Sequence, residues 1–149
     1  MRGAPLDCPR LRVVGSFEAL IAMPFRDGVN AVCWQRTLRG DFGELAQRLA
    51  RTDDITPLDE ELLRSLDVSA SGCEAVDALL GDLRLLRAAD HEPTLECVRR
   101  YPRDPDGPVP TDVYSFHVDS ATVPTETFLC TYVGAPSEGL RHDEARRVI

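Results

Sequence analysis

The chain has 149 residues, a net charge of −8 and a hydrophobic content of 43%, which are ordinary values for one soluble domain. The acidic balance argues against nucleic acid as a partner, which needs a basic face, and no apolar run approaches the roughly 18 residues of a membrane span. All 17 basic residues are arginine, which excludes mechanisms that depend on a lysine, such as Schiff-base catalysis. We expect a cytoplasmic protein, because no signal-peptide pattern is present.

Cysteine usage indicates reduced thiols. An odd number of cysteines without a signal peptide or a C-x-x-C pair is typical of small buried side chains, not of a disulfide framework or a structural zinc site. The five cysteines are Cys8, Cys33, Cys73, Cys97 and Cys130.

Helical patterns dominate the first part of the chain. Asp41 and Ser71 each stand three residues before a glutamate, as in a capping box, and Thr56 precedes a proline, as at a helix start. Apolar residues then recur at intervals of three and four from Val76 to Leu86, which indicates a helix with one buried face. The predicted elements are a short helix capped by Ser16 and ending at Pro24, a turn at Asp27-Gly28, a strand over 30–36, and three helices beginning near Asp41, Thr56 and Ser71.

Strand patterns dominate from residue 91 onward. Alternating or β-branched runs predict strands over 94–101, 113–119 and 127–133, and a helix start is predicted at 142–148. Helices followed by antiparallel strands predict an α+β fold, with N-terminal helices packed on an incomplete antiparallel sheet. We predict one domain over 1–149, with a loose lead-in at 1–11, a mainly helical part at 12–90 and a mainly strand part at 91–149.

The most informative pattern is His117-Val118-Asp119, inside the predicted strand 113–119. Side chains two residues apart on a strand lie on the same face, so this imidazole and this carboxylate can occupy neighbouring positions on one metal ion. They would be two of the three ligands of the 2-His-1-carboxylate triad found in non-haem Fe(II) enzymes. An ordinary hydrogen-bonded pair on a strand is the alternative interpretation.

The sequence does not reveal a third ligand. His142 is the one histidine that follows Asp119, and it stands at a predicted solvated helix start, while His91 stands in a charged loop. Cys130, on the predicted strand 127–133, is a candidate nucleophile if an imidazole lies beside it, although an inert buried thiol is the commoner role. No catalytic residue is therefore assigned.

Two stretches carry a family resemblance. Residues 116–119 (F-H-V-D) and 127–139 (T-F-L-C-T-Y-V-G-A-P-S-E-G) resemble a bacterial family known as a domain of unknown function, in which F-H-x-D precedes L-C-T-Y-x-G-x-x-[ST]-E. The segment 29–36, which ends in an aromatic residue, one residue and an arginine, is similar to an upstream strand of that family. This family resemblance names no activity.

A more distant resemblance is to the double-stranded β-helix, or jelly roll, of 2-oxoglutarate/Fe(II) oxygenases and cupins. It implies that His117 and Asp119 bind a metal, that Fe(II) and 2-oxoglutarate are the cofactors, and that the substrate is a small molecule. The chain departs from this pattern, because the 30 residues after Asp119 hold one or two strands of ordinary length and cannot close an eight-stranded jelly roll. We expect a truncated version of a longer fold.

Three functional hypotheses follow from the sequence. The first is an oxygenase-like metal protein with the pair His117 and Asp119. The second is a non-catalytic module for interaction or homo-oligomerisation, which pairs through an open sheet edge. The third is a thiol hydrolase that uses Cys130 and His117.

Overall fold

The computed structural model describes residues 9–49, 55–98, 122–123 and 127–134. In these ranges helices and short strands are mixed, which confirms the α+β class. The elements in chain order are β1 (Leu11–Val14), α1 (Phe17–Ala22), β2 (Ala31–Trp34), α2 (Phe42–Leu49), β3 (Ile55–Pro57), α3 (Glu60–Ser65), α4 (Ala70–Ala88) and β4 (Glu96–Val98).

The chain divides into two compact units. The first takes the described residues of Met1–Gly40 and Ser69–Thr94, and the second takes those of Asp41–Val68 and Leu95–Ile149. The prediction of one domain over 1–149 stays a prediction, because two compact units can be halves of one domain.

A parallel strand pair forms the start of the first unit. β1 and β2 run parallel, with Leu11 opposite Ala31 and Val14 opposite Trp34. Parallel strands need a crossover connection, and α1, which contacts both strands, lies in that connection. The sequence predicts β2 but not β1, whose four residues carry too little periodicity to identify a strand.

The sequence signals around α1 are confirmed. Ser16 is the N-cap, and its side chain accepts a hydrogen bond from the backbone N–H of Ala19 at 3.2 Å. A backbone N–H and the Ser16 hydroxyl lower the pKa of the exposed Glu18 carboxyl by stabilising its charged form. The predicted turn follows, with positive φ at Asp27 (56°) and Gly28 (83°).

The second unit contains an antiparallel pair. β3 and β4 pair with Ile55 opposite Val98 and Pro57 opposite Glu96, so the strand predicted over 94–101 is confirmed at 96–98. The N–H of Leu58 donates to the Leu95 carbonyl at 2.9 Å just beyond the pair.

The predicted helix start at Thr56 is wrong, because Thr56 and Pro57 belong to β3. Proline is tolerated in an edge strand, where its missing N–H costs no hydrogen bond. Asp59 is the N-cap of α3 instead, accepting from the N–H of Leu62 at 2.7 Å. A carboxylate at that position satisfies an unpaired N–H and complements the helix dipole.

The other two predicted helices form. Asp41 accepts from the N–H of Glu44 at 2.8 Å, at the start of α2. The N-cap of α4 is Ser69, which accepts from the N–H of Gly72 at 3.1 Å, so the prediction that Ser71 caps this helix is wrong. The buried side chains of α4 confirm its predicted apolar stripe, and they are Ala75, Val76, Leu79, Leu80 and Leu83.

The α4 cap gives a first testable prediction. Ser69→Ala removes the hydroxyl that accepts from Gly72 and should lower the free energy of unfolding by about 1 kcal/mol. Ser71→Ala, the matched control, places alanine in the first turn and should change it by less than about 0.5 kcal/mol. Urea unfolding followed by circular dichroism measures both, and an equal loss in the two variants would contradict the assignment of Ser69 as the cap.

The predicted strand 127–133 is wrong. Residues 127–134 are neither strand nor helix. β-propensity describes how side chains fit a paired, half-buried surface, and this segment has no strand partner among the described residues. Tyr132 stacks on Phe42 of α2, with ring centroids 5.5 Å apart and planes 19° from parallel.

Candidate functional site

The predicted metal ligands lie outside the described residues. The ranges outside the description include the predicted strand 113–119, which contains His117 and Asp119. They also include the predicted helix start 142–148, which contains His142. Within the described ranges, no three His, Cys, Asp or Glu side chains are grouped so that they could hold a metal ion. The metal pair therefore stays a prediction, and no third ligand is assigned.

Of the other candidate residues, His91 and Cys130 are described. His91 follows the C-terminal end of α4, where its backbone N–H donates to the Leu86 carbonyl at 3.1 Å. This bond, with the positive φ of Asp90 (62°), closes the last turn of the helix. The structure thus gives the backbone of His91 a capping role.

The cysteines are more exposed than the sequence predicts. Cys33, Cys73 and Cys130 are exposed and Cys97 is half-buried, so the prediction that the thiols are mostly buried is wrong for the three exposed cysteines. Cys33 and Cys97 lie on short strands, Cys73 lies on α4, and Cys130 lies in the irregular segment 127–134. Since His117 lies outside the described ranges, a pairing of Cys130 with that imidazole stays a prediction.

The best-defined polar cluster is centred on Arg36, in the first unit. Its guanidinium donates to both carboxylate oxygens of Asp82, with Nη1 at 2.5 Å from Oδ1 and Nη2 bonded to Oδ2. The guanidinium carbon also lies 4.2 Å from the ring centroid of Trp34. A bidentate carboxylate contact and stacking on an indole are both specific to arginine.

Three parts of the fold position this cluster. Trp34 is the last residue of β2, Arg36 follows two residues later, and Asp82 is on α4. Phe17 of α1 contacts Trp34 with a centroid distance of 6.0 Å and a tilt of 59°. The Arg36 and Asp82 side chains are 21% and 14% exposed, so the ion pair is mostly removed from water and ties the end of β2 to α4.

No pattern in the sequence indicates the ion pair. The alternation of Trp34 and Arg36 could have indicated that both lie on one face, but the partner is 46 residues away in the chain. Asp82 has no local signal that separates it from the other acidic residues of α4. The aromatic-x-arginine pattern noted in 29–36 thus has a structural role in the described part of the molecule.

An open groove lies beside the ion pair. Its volume is about 560 Å³, and apolar or small side chains of α4 form most of its surface. The lining residues include Arg36, Leu38, Ala78, Gly81, Asp82 and Leu85. Because the charges of Arg36 and Asp82 are directed at each other, the groove is chiefly an apolar surface.

The segment around Tyr132 exposes apolar side chains. Leu129 is 74% exposed, Val133 is 49% exposed, and Val123 is 63% exposed. The Phe42–Tyr132 stack holds one ring of this segment against α2 while these neighbours remain in contact with water. Exposed apolar groups of this kind can support association if they form a continuous patch.

Comparisons with known proteins return no similar protein. No family model matches the sequence, and neither a curated protein nor a solved structure matches it. The family resemblances of the sequence stay predictions. In the described part of the chain, none of the helices combines the length and hydrophobicity needed to cross a membrane.

Proposed function

We propose that this protein binds a divalent metal ion through His117 and Asp119 and acts as a non-haem Fe(II) oxygenase-like enzyme on a small molecule. The observation that supports the proposal is the H-x-D pattern itself, which lies in a run with strand character. A neutral imidazole nitrogen and a carboxylate oxygen are ligands that suit Fe(II) and Mn(II).

The two residues have separate roles in the proposed site. Asp119 supplies negative charge that offsets part of the cation's charge, and His117 supplies a neutral nitrogen ligand whose affinity falls when the imidazole is protonated. The third position is not assigned to a residue of this chain, since His142 stands at a predicted solvated helix start. When bound by such a site, Fe(II) supplies open coordination positions for O₂ and for 2-oxoglutarate.

Metal titration tests this proposal. Isothermal titration of the wild-type chain with Mn(II), which is stable in air, should show one site per chain. His117→Ala and Asp119→Ala should each weaken Mn(II) binding by roughly tenfold or more. Loss of a residue that only hydrogen-bonds to a metal ligand already lowers metal affinity by about that factor, and loss of the ligand itself should lower it at least as much.

The matched control is His91→Ala. This histidine is not one of the proposed ligands, and alanine keeps the backbone N–H that donates to the Leu86 carbonyl. His91→Ala should therefore bind Mn(II) like the wild type. Negligible heat from both the wild type and His117→Ala would overturn the metal-binding proposal.

A second candidate function is that of an interaction module that forms homo-oligomers. The exposure of Leu129 and Val133 favours it, because burying two such side chains against a second copy would remove apolar surface from water. The strand predicted over 127–133 does not supply an open edge for this module, since residues 127–133 do not form a strand.

Sedimentation analysis tests the second candidate. The wild type should sediment as a dimer at micromolar concentration, and Leu129→Glu should shift it to the monomer, because a buried carboxylate without a partner is costly. Phe25→Glu is the matched control, since Phe25 is also an exposed apolar residue (51%) but lies in the first unit. A wild-type monomer that binds Mn(II) would contradict the module and support the enzyme.

A further inference from the structure

We draw no further inference here: the strongest candidate, the open apolar groove along α4 beside the Arg36–Asp82 ion pair, carries nothing, because no feature in the described part of the chain shows what would cover it.

Discussion

Gly40→Ala is expected to destabilise the protein by about 3 kcal/mol or more. Gly40 has a φ of +111°, a backbone conformation that side chains with a Cβ rarely adopt. A Cβ at this position would also collide with the backbone of α4, lying 2.6 Å from the Cα and 2.9 Å from the Cβ of Ala75. Because helix backbone cannot move aside as a flexible side chain can, both costs apply together. Urea unfolding followed by circular dichroism measures the loss.

Two other glycines separate these costs. Gly28 has a φ of +83°, but no atom lies within 4 Å of an added Cβ, so Gly28→Ala should cost about 1 kcal/mol from backbone strain alone. Gly15 has neither a positive φ nor a neighbour within 4 Å, and Gly15→Ala should stay within about 0.5 kcal/mol of the wild type. If Gly40→Ala unfolds at the same urea concentration as Gly28→Ala, the close approach to Ala75 is not present in solution.

Asp82→Ala is expected to lower the free energy of unfolding by about 2–3 kcal/mol. The change removes the two carboxylate oxygens that accept from Arg36, whose side chain is only 21% exposed, and water replaces them incompletely. Arg36→Lys should also be destabilising, although less so, because an ammonium group cannot make the bidentate contact or stack flat on Trp34. Chemical denaturation of Arg36→Ala, Asp82→Ala and the double variant Arg36→Ala/Asp82→Ala gives the coupling energy between the two side chains.

The pair Glu60 and Arg64 provides the control for this prediction. It joins positions i and i+4 of α3 at 2.8 Å, with side chains 54% and 49% exposed. Solvent screening makes such a pair worth about 0.3–0.5 kcal/mol, so Glu60→Ala should have a small effect. An Asp82→Ala loss no greater than that of Glu60→Ala would show that the Arg36 pair is effectively a surface contact.

Local signals in the sequence predict helices better than strands in this chain. The Ser16 cap, the Asp41 cap and the apolar stripe of α4 depend on residues within four positions of one another, and each is confirmed. Where two capping residues compete within a few positions, the signal misplaces the boundary, as it does at Ser71. A cap depends on which hydroxyl or carboxylate has the extended backbone geometry, and residue types alone do not specify that geometry.

Strands depend on partners that are distant in the chain. β1 is a strand because it pairs with β2, and the paired residues Leu11 and Ala31 are about 20 positions apart in the chain. A pattern confined to the four residues of β1 cannot indicate a partner at that distance. The run 127–133 has strong β-propensity yet takes an irregular conformation. The Arg36–Asp82 pair could not be predicted for the same reason, because its members are 46 positions apart. The H-x-D hypothesis depends on two residues that are two positions apart, and metal titration tests it.

The placement of Trp34 between Phe17 and Arg36 has a spectroscopic consequence. It is the one tryptophan of the chain, and it lies in the first unit, so intrinsic fluorescence excited at the indole band monitors that unit selectively. Far-ultraviolet ellipticity instead averages over the helices of both units. Coincident transitions from the two signals would therefore indicate a single cooperative melt, and a displaced emission curve would indicate that the units lose their structure in separate steps.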